Sequence, residues 1–347
     1  MSERPEASAA AQIAFIRDIQ RLLEEGQFVA SYKFALLLAI AELCLERETE
    51  ADGKLRLPLR DIAARIIELY WPQVAPFRGE SVLSQNTGRQ AVILHAVEQA
   101  RSSSSSLSEA RRKRGWAGLV TKVSRHVLGM PLWRLQSVGG SRHPFLYEER
   151  LVSDAVELNP GVAQCFRSLH SVVVALVQSA WIRYLHRVPA NRAVIGPDSD
   201  LAEFLFGSER NALAPLRKPL YDLQAGRCFY CGGRIAAGGD VDHFIPWSRY
   251  PRDLGHNFVL AHAKCNAAKS DLLADIPHLA AWAERNDRDR PALQEIFEGA
   301  KVLNDEPTTR RVAGWAYESA ERSGAMVWKA GEAKPRVLAG NWRAYLS

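Results

Sequence analysis

Two short pairs of soft metal ligands constrain this chain more than any other feature. Cys228-x-x-Cys231 is one half of a thiolate site, and His262-x-x-Cys265 has the same internal spacing, with thirty residues between the pairs. Two such pairs can close a tetrahedral Cys3His shell, because each loop brings its two ligands to one side of the ion. A lone C-x-x-C would equally suit redox chemistry. The second pair, and the glycines of "CFYCGG" that a tight ligand-bearing turn uses, point to structural Zn2+. The competing reading keeps these cysteines as small apolar residues without metal. A closed four-ligand shell leaves no open position, so this zinc would not be a catalytic ion. The chain has five cysteines. Cys44 and Cys165 lie in apolar, helical stretches and read as inert core residues.

Between the pairs lies "GDVDHFIPWSRYPRDLGHNFVLA". Val241, Phe244 and Ile245 flank Asp242-His243 in a strand-like setting. "NFVLA" from Asn257 reads as a second strand and "AKCNAAKSDLLA" as a short helix, giving strand, long loop, strand, helix.

With Asp242-His243 on the first strand, Asn257 opening the second and Asn266 on the helix, residues 217–275 resemble the HNH endonuclease family in its H-N-N variant. Cys265-Asn266-x-x-Lys269 and "DHFIPWSRYP" add to the likeness. His262 stands where many members carry cysteine, and zinc accepts imidazole there. The resemblance implies a ββα-metal finger that hydrolyses DNA phosphodiester bonds with Mg2+ or Mn2+.

The chemistry is coherent on its own terms. Hydrolysis of a phosphodiester needs an activated water and a cation near the developing charge. His243 can take a proton from water near neutral pH. Asn257, by main chain or side chain, is expected to fix the imidazole through its other nitrogen. The Asp242 carboxylate and the Asn266 amide oxygen are hard ligands suited to Mg2+. Lys269, one turn beyond Asn266, is expected to touch phosphate, with Arg249 and Arg227 as further backbone contacts. His256 reads as a turn residue. Each also has a plainer role, as cap, ion pair or solvated cation.

The rest of the chain predicts an α+β fold, mainly α. A helical domain over 1–200 would precede a nuclease domain over 207–285, followed by helices and a small hairpin over 286–347. Helices are expected in "AAQIAFIRDIQRLLEEG", in the apolar "YKFALLLAIAELCLERE", after Pro58, and over about 86–101. Two strands are expected within 144–158. A long helix capped by Asn159 should run through 188, then a linker over 189–200. "LADIPHLAAWAERN" and "PTTRRVAGWAYESAERSG" read as helices and "MVWKAGEAKPRVL" as a hairpin.

Net charge is +6, yet residues 101–143 hold nine Lys or Arg against Glu109 alone, so the remainder of the chain is slightly acidic. That segment, with Arg111, Arg112, Lys113 and Arg114 at its centre, suits a polyanion such as DNA. The most apolar run, "SVVVALVQSAWI", is too short for a membrane span and contains Gln178. Without a signal-peptide pattern, a cytoplasmic location is expected. Standalone HNH proteins with an unrelated N-terminal half are common in prokaryotic restriction and anti-phage systems, the nuclease of a Zorya-type system among them. The resemblance therefore implies phage defence and partner proteins of a defence system. Two rival readings are a non-catalytic zinc-clasped nucleic-acid-binding module and a protein-interaction factor.

Overall fold

The computed structural model describes residues 7–50, 54–79, 81–87, 92–196, 200–207, 210–236 and 238–346. They fall into two compact units, divided between Phe206 and Gly207. The fold is α+β and mainly helical, as the sequence predicts.

In the first unit, α1 (Ala9–Glu25) starts at Ser8, whose hydroxyl accepts from Ala11 N, and stops at an extended Gly26. α2 (Tyr32–Glu46) is apolar on nearly every side and is almost wholly buried, so the unit forms around it. β1 (Arg56–Pro58) leads into α3 (Leu59–Tyr70), and Pro72 turns the chain out of the helix. Next come α4 (Val92–Ser102), α5 (Leu107–Arg112), α6 (Gly115–Gly129) and α7 (Pro131–Arg134). The helix expected from about residue 86 is described from Val92, while Asn86 bridges to Ala30 and residues 88–91 lie outside the described set. The serine run ends in a cap: Ser106 accepts from Glu109 N, and Glu109 reaches back to Ser105 N.

β2 (Ser137–Val138) and β3 (Ser141–Arg142) form a small ladder. β4 (Tyr147–Val152) and β5 (Ala155–Leu158) are the two strands expected there; β5 also pairs with β1, giving the order β1-β5-β4. The expected long helix is two: α8 (Val162–Ser168) and α9 (His170–Arg187) meet at 86°. Gly161, at φ +81°, begins α8, and Asn159 spends its amide on Pro144 O instead of capping. No proline or glycine marks the bend. The break lets Arg167 bond Cys44 O, Arg47 O and Thr49 Oγ1, where α2 ends with open carbonyls. This tertiary gain outweighs helix continuity. No single helix is long and apolar enough to cross a membrane.

The expected linker is partly built into this unit. Asn191 is buried and bonds Ser84 N, Ser84 O and Leu185 O, and Ile195 joins the core. Residues 197–199 lie outside the described set. α10 (Leu201–Phe206) closes the unit.

The second unit begins with a 3-10 stretch and α11 (Arg217–Leu223). β6 (Asp240–His243) and β7 (Phe258–Ala261) pair antiparallel, with Asp242 opposite Val259 and His243 opposite Phe258. α12 (Ala263–Lys269) follows at once, so the strand–loop–strand–helix order predicted from sequence is present. β8 (Leu273–Ala274), α13 (Ile276–Arg288), α14 (Arg290–Gly299) and α15 (Glu306–Ser323) come next. β9 (Met326–Trp328) then pairs antiparallel with β10 (Arg336–Val337) and parallel with β8.

α13 braces the finger from beneath. Trp282 stacks on Phe244 at 5.0 Å and donates to His256 O, and Arg285 donates to His256 O and Phe258 O. Gly255 is required by packing, since a Cβ there would lie 2.5 Å from the Phe297 ring of α14.

Candidate metal clasp and catalytic finger

Cys228, Cys231, His262 and Cys265 converge, with their donor atoms within 4.8 Å of one another. Four donors that close suit a tetrahedral shell with bonds of about 2.0–2.3 Å. The His262 ring turns Nδ1 toward the sulfurs, 3.3 Å from Cys231 Sγ and 3.9 Å from Cys265 Sγ. Its other nitrogen lies 3.0 Å from Arg234 O, the outer bond that fixes a ligating imidazole. Gly232, at φ +66°, closes the first turn, where its carbonyl accepts from Arg227 Nη1 at 3.0 Å. This three-thiolate, one-imidazole set fits zinc. Among the described residues, no other group of His, Cys, Asp and Glu gathers as closely.

His243 is the last residue of β6. Its ring sits edge-on to Phe258 and Trp247 and is mostly buried. Nε2 lies 2.7 Å from Asp253 Oδ1. A carboxylate there favours the tautomer with the proton on Nε2, leaving Nδ1 as acceptor. Asp253 comes from the loop between the strands, and the sequence reading did not single it out. Its only sequence signal is being an acid on the loop that must fold back over the first strand.

Asn257 does not bond the imidazole. Its Oδ1 accepts from Ile245 N at 2.7 Å, its Nδ2 donates to Ile245 O at 3.0 Å, and its main-chain carbonyl accepts from Phe244 N at 2.7 Å. It staples the two residues that follow His243, so it holds the ring through the backbone.

Adjacent strand residues face opposite ways, so Asp240 and Asp242 share the face toward α12 while His243 faces away from it. Asp242 Oδ2 accepts from Tyr230 Oη at 2.5 Å and lies 3.1 Å from Lys269 Nζ. Lys269, expected at phosphate, is instead wholly buried and donates to His243 O at 2.8 Å. Burial lowers its pKa, and the Asp242 charge opposes that shift. The helix turns this residue inward because a paired ammonium fills the space between α12 and β6. Asn266 sits beside Asp240, with its amide nitrogen 3.4 Å from Asp240 Oδ2. Asp240 is a further acid that the sequence reading passed over, although the D-x-D spacing places it on the same face as Asp242. Asp240, Asp242 and Asn266 are hard oxygen donors of the type that Mg2+ or Mn2+ takes, and Asp242 is already engaged by Tyr230 and Lys269.

Residues 12–205, more than half the chain, match a family described as a domain of unknown function, DUF8808. The chain belongs to the DUF8808 family. Residues 228–274 match the HNH endonuclease family, over the clasp, the finger and the start of the following segment. The HNH resemblance in the sequence is thus supported where its motif lies. No curated protein and no solved structure matches the chain.

The remaining cations expected at DNA divide sharply. Arg249 is half-buried near Tyr317 and Asp271, its Nε enclosed without a partner, so it faces inward. Arg227 is exposed but braces the clasp turn. In the DUF8808 unit, Arg111 forms an ion pair with Glu68 and lies over the Trp116 ring. Lys113 pairs with Glu109. Arg112 and Arg114 are exposed. The run is therefore not one uniform basic surface, because Arg111 and Lys113 are committed to carboxylates.

Proposed function

We propose that the C-terminal unit is a metal-dependent HNH endonuclease that hydrolyses DNA phosphodiester bonds. The observation that carries this reading is the His243–Asp253 pair at the end of β6, inside a ββα finger whose ends are clasped by Cys3His. His243 Nδ1 accepts the proton of the attacking water, and Asp253 holds the tautomer and stabilises the imidazolium that forms. Asn257 and Lys269 fix the backbone on which the ring rides. Asp240 and Asn266, with Asp242, would hold a divalent ion, which when bound offsets charge on the phosphate. One such site favours cutting one strand per event. A setting in anti-phage defence belongs to the same reading, by analogy with standalone family members.

A second reading is favoured by one observation. The Asp242 carboxylate is already engaged by Tyr230 and Lys269. In that reading the finger binds nucleic acid without cutting. Incubation of supercoiled plasmid with the full chain and Mg2+, Mn2+ or EDTA separates the two. Nicking that needs the divalent ion and disappears in His243→Ala supports the nuclease. Cutting by His243→Ala at the wild-type rate ends the assignment of the base. DNA binding without cleavage under either ion leaves the second reading.

A further inference from the structure

The outer face of α6 carries Lys122 and Arg125 and has no counter-charge of its own. The helix contains no acidic residue, and Val123 and Val127 point to the core. Its exposed positions are Lys122, Arg125 and otherwise glycine, alanine or threonine. Arg114, just before the helix, continues the stripe: the steps from 114 to 118, 122 and 125 are four, four and three residues, which keep to one helical face. Arg114, Lys122 and Arg125 are exposed, and none has an ion-pair partner among the described residues. The neighbouring carboxylates are already used, Glu68 by Arg111 and Glu109 by Lys113.

We propose that this face is where the DUF8808 unit meets duplex DNA, with Arg114, Lys122 and Arg125 on phosphates. From Arg114 to Arg125 the helix rises about 16 Å at 1.5 Å per residue. That exceeds the roughly 12 Å width of the major groove, so the end cations can address backbones on either side of it. Gly118 and Thr121, between them, carry no side chain long enough to hold a phosphate backbone away. A lipid surface fits less well, since the apolar side chains of α6 pack against the core and are at most partly exposed. The choice of DNA as the polyanion rests on the nuclease reading; the face itself does not.

The test uses the full chain carrying His243→Ala, so that binding is read without cleavage. Affinity for a short duplex is measured against salt for Arg114→Gln/Lys122→Gln/Arg125→Gln. A control, Arg60→Gln/Arg150→Gln/Arg187→Gln, removes equal charge from exposed cations elsewhere in the unit. Three lost phosphate contacts should make the log–log salt slope shallower by about 2.7 and weaken binding on the order of 10²-fold at 0.1 M salt. The control should keep the wild-type slope. Unchanged melting temperature shows that the α6 variant is folded. The proposal is overturned if the α6 variant keeps the wild-type slope, if the control falls equally, or if anionic vesicles bind in an α6-dependent way while duplex does not. Failure of the nuclease reading looks different: the chain with His243 intact does not cut saturating duplex with Mg2+ or Mn2+, while the difference in salt slope persists.

Discussion

At the residue scale, two side chains on one strand do different work. His243 faces Asp253, whereas Asp242 faces Tyr230 and Lys269. His243→Ala should lower the cleavage rate by about 10²–10⁴ with the fold intact, which is the usual contribution of a general base. Asp253→Asn removes only the carboxylate that sets the tautomer. It should cost less than His243→Ala and leave duplex affinity and melting temperature near wild type. Equal activity of Asp253→Asn and wild type would remove Asp253 from the mechanism. Lys269→Met should behave in the opposite sense. It strands the buried Asp242 charge and the His243 carbonyl, a change that costs about 3–5 kcal/mol when one partner of a buried pair is deleted. Its signature is a lower melting temperature, partly recovered by adding Asp242→Asn, which removes the stranded charge. A Lys269→Met protein with wild-type stability and weakened DNA binding would restore the surface role that the sequence suggested.

At the element scale, the clasp and the finger form a single construction. Tyr230 lies between the first two thiolates and also reaches Asp242 on β6, so the metal turn and the strand are joined by one hydrogen bond. Structural zinc contributes folding free energy outright. Cys228→Ser or Cys265→Ser should therefore lower solubility and thermal stability far more than His243→Ala does. Metal analysis should find about one zinc per chain in wild type and less in either variant. Folded wild-type protein free of zinc would refute the clasp. Much of this element was legible in the sequence, because ligand spacing and strand alternation are local properties: the clasp pairs, the two strands and α12 all stand where their patterns put them. Asp253 was not legible, because its role exists only when the loop folds back over β6. Lys269 was misread for the same reason. A lysine near a helix end looks solvated until the strand beneath it supplies a carboxylate and a carbonyl. The α8–α9 bend followed the same logic, since Arg167 finds its partners on α2, more than a hundred residues earlier. α14 lies in the stretch where helices are expected, but its own segment is not singled out by the sequence, although Leu293 and Phe297 give it an inward face.

At the scale of the whole molecule, each unit encloses a histidine that must stay neutral. His256 is buried with neither ring nitrogen bonded, and its pKa falls to about 4. Burial is the main cause, aided by the charges of Arg285, Arg290 and Arg310. His170, in the other unit, is likewise held at about 4, chiefly by burial. In the unfolded chain both would bind a proton near pH 6.5. Between pH 6.5 and 4 the unfolded state therefore takes up protons that the native state refuses. The neutral-histidine contribution is complete above pH 6.5 and is lost progressively as pH falls toward 4, by up to about 3 kcal/mol per histidine. Urea melts across this range should show stability falling in both units. His256→Gln cannot take up a proton, so it should flatten the acid slope of the C-terminal unit and leave that of the N-terminal unit unchanged. The two can be followed separately through Trp282, packed beneath the finger, and Trp181, buried in the helical core. If His256→Gln leaves the acid slope at Trp282 unaltered, the ring takes up its proton in the native state, and an acid-labile finger held by a neutral His256 is wrong.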